Sequence, residues 1–165
     1  MDDLLQRLTE LGIESHTVSH PPVYTVAEAR ALRGELPGGH SKSLFLRNRK
    51  GNRMWLLVTL EDQEVDLKDL GAALGEGRLS LGSAERLMRH LGVIPGAVTP
   101  FAIINDDEAQ VEVLLDTSML EHSPLNYHPL VNDHTTAVTP EDLLRFLRAC
   151  GHEPRLLDLG RPGGV

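Results

Sequence analysis

The sequence predicts an α+β fold, a curved mixed β-sheet or partial barrel surrounded by helices. Two patterns predict it: stretches with helical apolar spacing and apolar β-type runs follow one another irregularly, and neither a regular βαβ series nor an internal repeat is present. A chain of 165 residues needs only one domain, placed over residues 1–160, with 161–165 (Arg-Pro-Gly-Gly-Val) as a flexible tail.

Each element has its own local reason. Leu4, Leu5, Leu8 and Leu11 recur at helical spacing and Gly12 follows as a stop, so residues 2–11 read as an amphipathic helix. A strand follows over 13–18 and ends at His20-Pro21-Pro22, where neither proline can continue a ladder. Thr25 and Glu28 have capping-box spacing and open a helix through about Leu32. The segment Leu36-Pro-Gly-Gly-His40 reads as a loop that delivers Ser41-Lys42-Ser43 to a hairpin over 43–60, turning at Arg49-Lys50-Gly51-Asn52. Asp66 and Ser83 cap helices through Leu74 and Leu91. The loop Gly92-Val-Ile-Pro-Gly96 comes next, then strands near 101–104 and 110–115, a short helix or turn near 117–122 and extended segments near 125–130 and 134–138. Thr139-Pro140-Glu141 starts a last helix with its apolar face at Leu143, Leu144, Phe146, Leu147 and Cys150, and a strand near 154–159 closes the order.

Composition narrows the function. No apolar run approaches the length of a membrane span and the start lacks a basic leader region, so the expected location is cytoplasmic. One cysteine allows no disulfide framework, and the eight histidines lack zinc-enzyme spacing, so no metal and no cofactor are expected. A net charge of −8 argues against a general nucleic-acid binder. Arg47, Arg49, Lys50 and Arg53 are the local exception: they cluster at the hairpin turn, as a solvated tip or as a small patch for phosphates.

Several residues carry two readings. Gly92 and Gly96, stiffened by Pro95 and Pro100, form either a tight connection or a wall presenting bare N–H groups to an anion or carbonyl. Lys42, after a glycine loop, is either a free surface lysine or a point charge for a phosphate or oxyanion. His128, held by Pro129 and near Thr135 and Thr136, is either a structural histidine or a ligand contact, and His20 invites the same two readings. No GxSxG, GxxxxGK[ST] or GxGxxG motif is present, so an enzyme built from this chain would work by positioning and backbone polarisation.

Four blocks in order carry a family likeness: His20-Pro-Pro-Val-Tyr24-Thr25-Val-Ala-Glu28, Lys42 with Leu44-Phe-Leu46, Gly92-Val-Ile-Pro-Gly96-Ala-Val-Thr-Pro-Phe101 with Asn105-Asp106, and His128-Pro-Leu-Val-Asn132 with Thr135-Thr136. Together they resemble the YbaK/prolyl-tRNA-synthetase-associated (ProX/PrdX-like) editing domain superfamily, nearest to its freestanding alanyl-tRNA(Pro) deacylases. The resemblance implies a trans-acting hydrolase that clears alanine from proline tRNA. Such a sieve is needed because a missing methylene gives only about 1–3 kcal/mol of discrimination. It implies Lys42, Gly92, Pro95, Gly96 and His128 as the catalytic group and His20, Tyr24, Thr25, Ser43, Phe101, Thr135 and Thr136 as substrate contacts. Its partners would be the acceptor end of proline tRNA, with prolyl-tRNA synthetase or an elongation factor as further candidates, and its chemistry substrate-assisted water attack by a terminal ribose hydroxyl. Ser43 stands where the pattern has Asn, and Ala102 where many relatives have Gly. A non-catalytic tRNA-end or nucleotide-binding module, or a deacylase for Cys, Ser or Thr, remains the alternative.

Overall fold

The computed structural model describes residues 1–22, 24–25, 27–28 and 38–160. Helix α1 (Asp2–Glu10) buries Leu4 and Leu8, carries Asp2 and Asp3 at its positive end, and hands over at Gly12 in the left-handed region. Helix α2 (Leu67–Ala73) starts at Asp66, whose side chain accepts from the Asp69 and Lys68 N–H groups. Those two bonds hold the Asp66 carboxyl below its ordinary range. Helix α3 (Ala84–Leu91) is capped by Ser83 and α4 (Pro140–Ala149) by Thr139, as their spacing predicts.

Eight strands form one mixed, unclosed sheet among the described residues: β1 (His16–Ser19), β2 (Gly39–Arg47), β3 (Met54–Leu60), β4 (Ser80–Leu81), β5 (Val111–Asp116), β6 (Leu125–Tyr127), β7 (His134–Val138) and β8 (Arg155–Leu157). Their order is β1-β7-β6-β2-β3-β5-β8, with β4 paired onto β2. The β2–β3 hairpin runs in antiparallel register from Ser41 opposite Leu60 to Arg47 opposite Met54. Asn48 organises its turn, since its Oδ1 accepts from the Asn52 and Arg53 N–H groups at 3.0 and 3.1 Å.

Side-chain alternation along the central strands feeds two cores. Phe45, Met54, Leu56, Val58, Val113 and Leu115 join the larger cluster, covered by α1, α3 and α4. Their neighbours Leu46, Trp55, Leu57 and Leu114 point the other way and meet Leu70, Leu74 and Leu79 around α2. No helix among the described residues is long and apolar enough to cross a membrane.

Several expectations need correction. Residues 101–104 are not a strand: Pro100–Asn105 is a 3-10 helix, with Pro100 in its first turn and the Thr99 hydroxyl accepting from the Phe101 N–H. Phe101, Ala102 and Ile103 are all buried, and an uninterrupted apolar run has no periodicity to distinguish the two forms. Gly39 and His40 already belong to β2, where a loop was expected, and the first strand starts at His16. The extended segments over 125–130 and 154–159 shorten to β6 and β8. The first turn after Thr25 has the N-cap half of the expected capping box, the Glu28 N–H donating to Thr25 Oγ1 at 3.0 Å, while Glu28 Oε2 accepts from the Tyr24 N–H instead of that of Thr25. The rest of that helix, residues 36–37 of the expected loop, and the tail 161–165 lie outside the described residues.

One buried ion pair ties the chain's late connections together. Asp106 and His152 side chains are each 4% exposed, with Nε2 2.8 Å from Oδ2. Asp106 also accepts from the Gln110 and Val111 N–H groups, and His152 Nδ1 lies 3.1 Å from the Cys150 carbonyl. The ring is thus held at both nitrogens, between the Cys150 carbonyl and the Asp106 carboxyl. The Asp106→Ala variant strands that ring and two peptide donors; a loss of about 3–5 kcal/mol in urea unfolding is expected.

Candidate functional site

The parallel pairing of β2 with β6 sets the site. Gly39 lies opposite Leu125 and His40 opposite Asn126, so continuing the register brings Lys42 level with His128. Both share a face, because each lies two residues beyond a same-side neighbour. On the other side of Lys42, β3 supplies Thr59 as its cross-strand partner. The Thr59 hydroxyl donates to Asp116 Oδ2 on β5 at 2.6 Å, in a wholly buried contact.

His128 Nδ1 is 3.0 Å from the His134 carbonyl, which can only accept, so Nδ1 carries the proton. The His20 ring centroid lies 6.1 Å from that of His128. His20 Nδ1 bonds the Pro21 carbonyl and Nε2 meets Thr135 Oγ1, both at 2.8 Å. His20 and His128, each just past the end of its strand, thus gather with Thr135, and Lys42 lies across from Thr59, itself bonded to Asp116.

The electrostatics of this region favour a neutral histidine beside a cation. Burial lowers the His128 pKa from its ordinary value; the His134 backbone bond opposes the shift and the charge of His20 adds to it. Neutral His128 with its proton on Nδ1 has Nε2 as an acceptor. Lys42 is half-buried and makes no hydrogen bond or ion pair among the described residues.

The remaining candidates separate into groups. Ser43 follows Lys42 in the strand and so takes the opposite face, that of Phe45. The Gly92–Gly96 loop is on that side too: Val93 and Ala97 belong to the larger cluster. Among the described residues no hydrogen bond joins the loop to Lys42 or His128. Gly92 sits at the C-terminus of α3 with φ +68°, its N–H bonded to Leu87 and Met88 carbonyls, as a tight connection requires. A Cβ there would stand 2.9 Å from Asn105 Nδ2, which itself donates to the Leu91 carbonyl at 2.9 Å. Gly96 lies inside the 3-10 turn Pro95–Ala97. Ile94 and Pro95 are exposed, so the loop's outer edge faces solvent.

Phe101 is wholly buried, edge-on to Tyr127 and Phe146 at 5.8 and 5.5 Å, and so has no surface for a substrate. Thr136 is likewise buried and shares a 2.8 Å hydrogen bond with Thr17. The Thr25 hydroxyl serves its helix cap, while Tyr24 is 64% exposed. At the hairpin tip Arg49 and Lys50 are exposed. Arg53 is not available in the same way: it pairs with Glu76 at 3.1 Å and Glu112 at 2.9 Å and lies over Trp55. Cys150 is half-buried against the larger cluster, and desolvation pushes its thiol pKa up, as befits an inert side chain. Among the described residues no three His, Cys, Asp or Glu side chains gather as a metal site.

Thr59 and Asp116 form a pair that the sequence reading passed over. Their signal was present: each is a polar residue that ends an apolar run, residues 54–58 before Thr59 and 113–115 before Asp116.

Among the described residues, a mixed sheet flanked by helices carries Lys42 on a strand and His20 and His128 just past strand ends, a candidate site for a polar substrate. The chain belongs to the aminoacyl-tRNA editing domain family, whose model matches residues 20–146. Its activity is therefore that of an aminoacyl-tRNA deacylase, a hydrolase of the aminoacyl ester bond. It is 38% identical over 160 residues to the prolyl-tRNA synthetase associated domain-containing protein 1 of Mus musculus, covering 94% of each chain. It is 36% identical over 156 residues to the prolyl-tRNA editing protein ProX of Acetoanaerobium sticklandii, covering 94% of this chain and 95% of that one. Its fold matches a crystal structure described as that of a candidate trans-editing enzyme for prolyl tRNA synthetase. That match has TM-score 0.72 and 22% identity, over 95% of this chain and 94% of the other.

Two outcomes follow from the geometry. Gly92→Ala places a side chain in the left-handed region and against Asn105, for a loss of about 1–2 kcal/mol in chemical denaturation. In an NMR titration His128 takes up its proton below pH 6.5, the ordinary value. The unfolded chain protonates this ring first as pH falls. Unfolding thus takes up a proton, and the ring's contribution to stability declines from about pH 6.5 downward.

Proposed function

We propose that the chain acts in trans on Ala-tRNA(Pro), hydrolysing the ester that joins alanine to the terminal adenosine. What supports this reading is the β2–β6 register, which carried two residues past its last pair sets Lys42 level with His128, together with the lowered pKa of His128. Lys42 holds a phosphate of the terminal nucleotide as a compact charge. His128 Nε2 accepts from a ribose hydroxyl or from the aminoacyl ammonium, and His20 with Thr135 extends the same face toward the nucleotide. Names of relatives support the tRNA: one is a prolyl-tRNA editing protein, others are prolyl-tRNA synthetase associated.

No side chain becomes acylated. The terminal ribose hydroxyl orients water onto the ester carbonyl, the C–O bond to the ribose breaks, and the departing ribose oxygen takes a proton from water. The Gly92–Gly96 loop and Ser43 lie on the opposite face of β2 from Lys42 and carry no step of this reading, while exposed Tyr24 is a candidate contact for the aminoacyl end. The synthetase is a further partner on this reading, and the cytoplasm its location.

The test compares hydrolysis of Ala-tRNA(Pro), Pro-tRNA(Pro), Cys-tRNA(Pro) and Ser- or Thr-charged tRNA. Ala-tRNA(Pro) is expected to be cleaved fastest, and Lys42→Ala to lower kcat/KM by about tenfold or more. A Ser or Thr preference would move the chain toward the Ser/Thr-tRNA deacylase ProXp-y of Escherichia coli, 23% identical over 161 residues. Background decay of every substrate would refute the proposal.

A further inference from the structure

A second anion site lies at the opposite end of β2. Arg47, on the last residue of the strand, and Arg86, on α3, converge on the hairpin turn. A Cβ built at Gly51 would stand 3.0 Å from Arg86 Nη2 and 3.7 Å from Arg47 Nη1. Two guanidinium groups thus crowd one point, and neither forms an ion pair among the described residues.

Their recorded hydrogen bonds are both to neutral carbonyls. Arg86 Nη1 donates to Gly51 O at 2.8 Å, and Arg47 Nη2 donates to Arg49 O at 3.3 Å. Arg47 Nε is buried with no acceptor at all. Like charges held together beside an orphaned buried N–H are unfavourable unless an anion joins them. The nearby acid is already taken, since Glu76 is engaged by Arg53 and Asn48. Exposed Arg49 and Lys50 rim the same turn.

We propose that Arg47 and Arg86, with Arg49 and Lys50 at the rim, bind a phosphodiester group of the tRNA backbone away from the charged end. This rests on the tRNA reading above and adds a contact to it. Along β2, Arg47 is five residues from Lys42, about 16 Å at strand rise. Arg47 takes the face of Phe45 and Lys42 the opposite one, so the path between them rounds the hairpin end and exceeds that rise; at about 3.4 Å per stacked nucleotide the phosphate belongs to the acceptor stem, more than roughly five nucleotides from the terminal adenosine. A contact so far from the ester raises affinity and leaves the chemical step alone.

The experiment measures Kd for uncharged tRNA(Pro) against salt, together with steady-state deacylation. Arg47→Gln/Arg86→Gln is expected to weaken binding about tenfold and to flatten the log Kd against log salt slope by roughly one per lost phosphate contact, with KM raised and kcat unchanged. Arg53→Gln removes the same charge per residue, yet it should leave the slope unaltered, because Glu76 and Glu112 already neutralise that side chain. Arg49→Gln/Lys50→Gln, which breaks no side-chain hydrogen bond of the turn, should flatten the slope too, so a folding defect in the first variant does not decide the outcome.

An equal effect from Arg53→Gln would reduce the result to net charge and overturn the site. So would unchanged slopes in both double variants, or Arg-dependent binding of inorganic phosphate with no change toward tRNA. If the wild-type chain binds tRNA with these arginine dependences but hydrolyses nothing, the deacylase reading falls and the phosphate site stands.

Discussion

The site depends on the close approach of β2 to β6 at Gly38 and Gly39. The Gly39 N–H donates to the Pro124 carbonyl at 2.8 Å and its own carbonyl accepts from Asn126 Nδ2 at 3.1 Å. A Cβ on Gly38 would collide with the Pro124 carbonyl, and one on Gly39 would stand 2.8 Å from His122 Cβ. Gly38 also takes φ +103°, which side chains rarely adopt. Without two bare residues here the strands would separate, and Lys42 and His128 would lose their common level.

The same strand then has to serve both sides of the sheet. It pairs with β3, β4 and β6, so neither edge is free to slip. Phe45 enters one core and Leu46 the other, each fully committed by burial. That commitment fixes the facing of every polar residue upstream: a one-residue slip would exchange Lys42 for Ser43 across the sheet. The precision of a site on this strand therefore comes from apolar packing several residues away, where shifts are most costly.

Local chemistry made much of the fold legible. Side-chain caps at Asp66, Ser83 and Thr139, the hairpin over β2 and β3, and the leucine stripe of α1 all follow from short-range rules. The 3-10 helix Pro100–Asn105 did not, because a segment buried on every side has no periodicity to read. The site was legible in part: a family motif can name Lys42 and His128, but not their register. Nor could it reveal that Phe101 and Thr136 serve the interior, that Arg53 is held by two carboxylates, or that Arg86 joins the hairpin tip across 39 residues of chain from Arg47. Those facts are tertiary, set by which strands and helices come together.

The distribution of charge gives the chain its way of handling a polyanion at a net charge of −8. Acidic residues are spent where they cancel: Glu76 and Glu112 on Arg53, Glu85 on Arg89, Glu153 on Arg148, Asp106 on His152. Lys42, Arg47 and Arg86 are left without such partners among the described residues. An overall negative field repels nucleic acid that meets the wrong face, while the uncancelled cations attract it along β2. Neutral His128 fits this arrangement. A second full positive charge beside Lys42 would bind phosphate more tightly but would lose the acceptor that a ribose hydroxyl or an ammonium requires. Burial, which lowers the affinity of that ring for a proton, thus leaves it an acceptor where a second cation would otherwise stand.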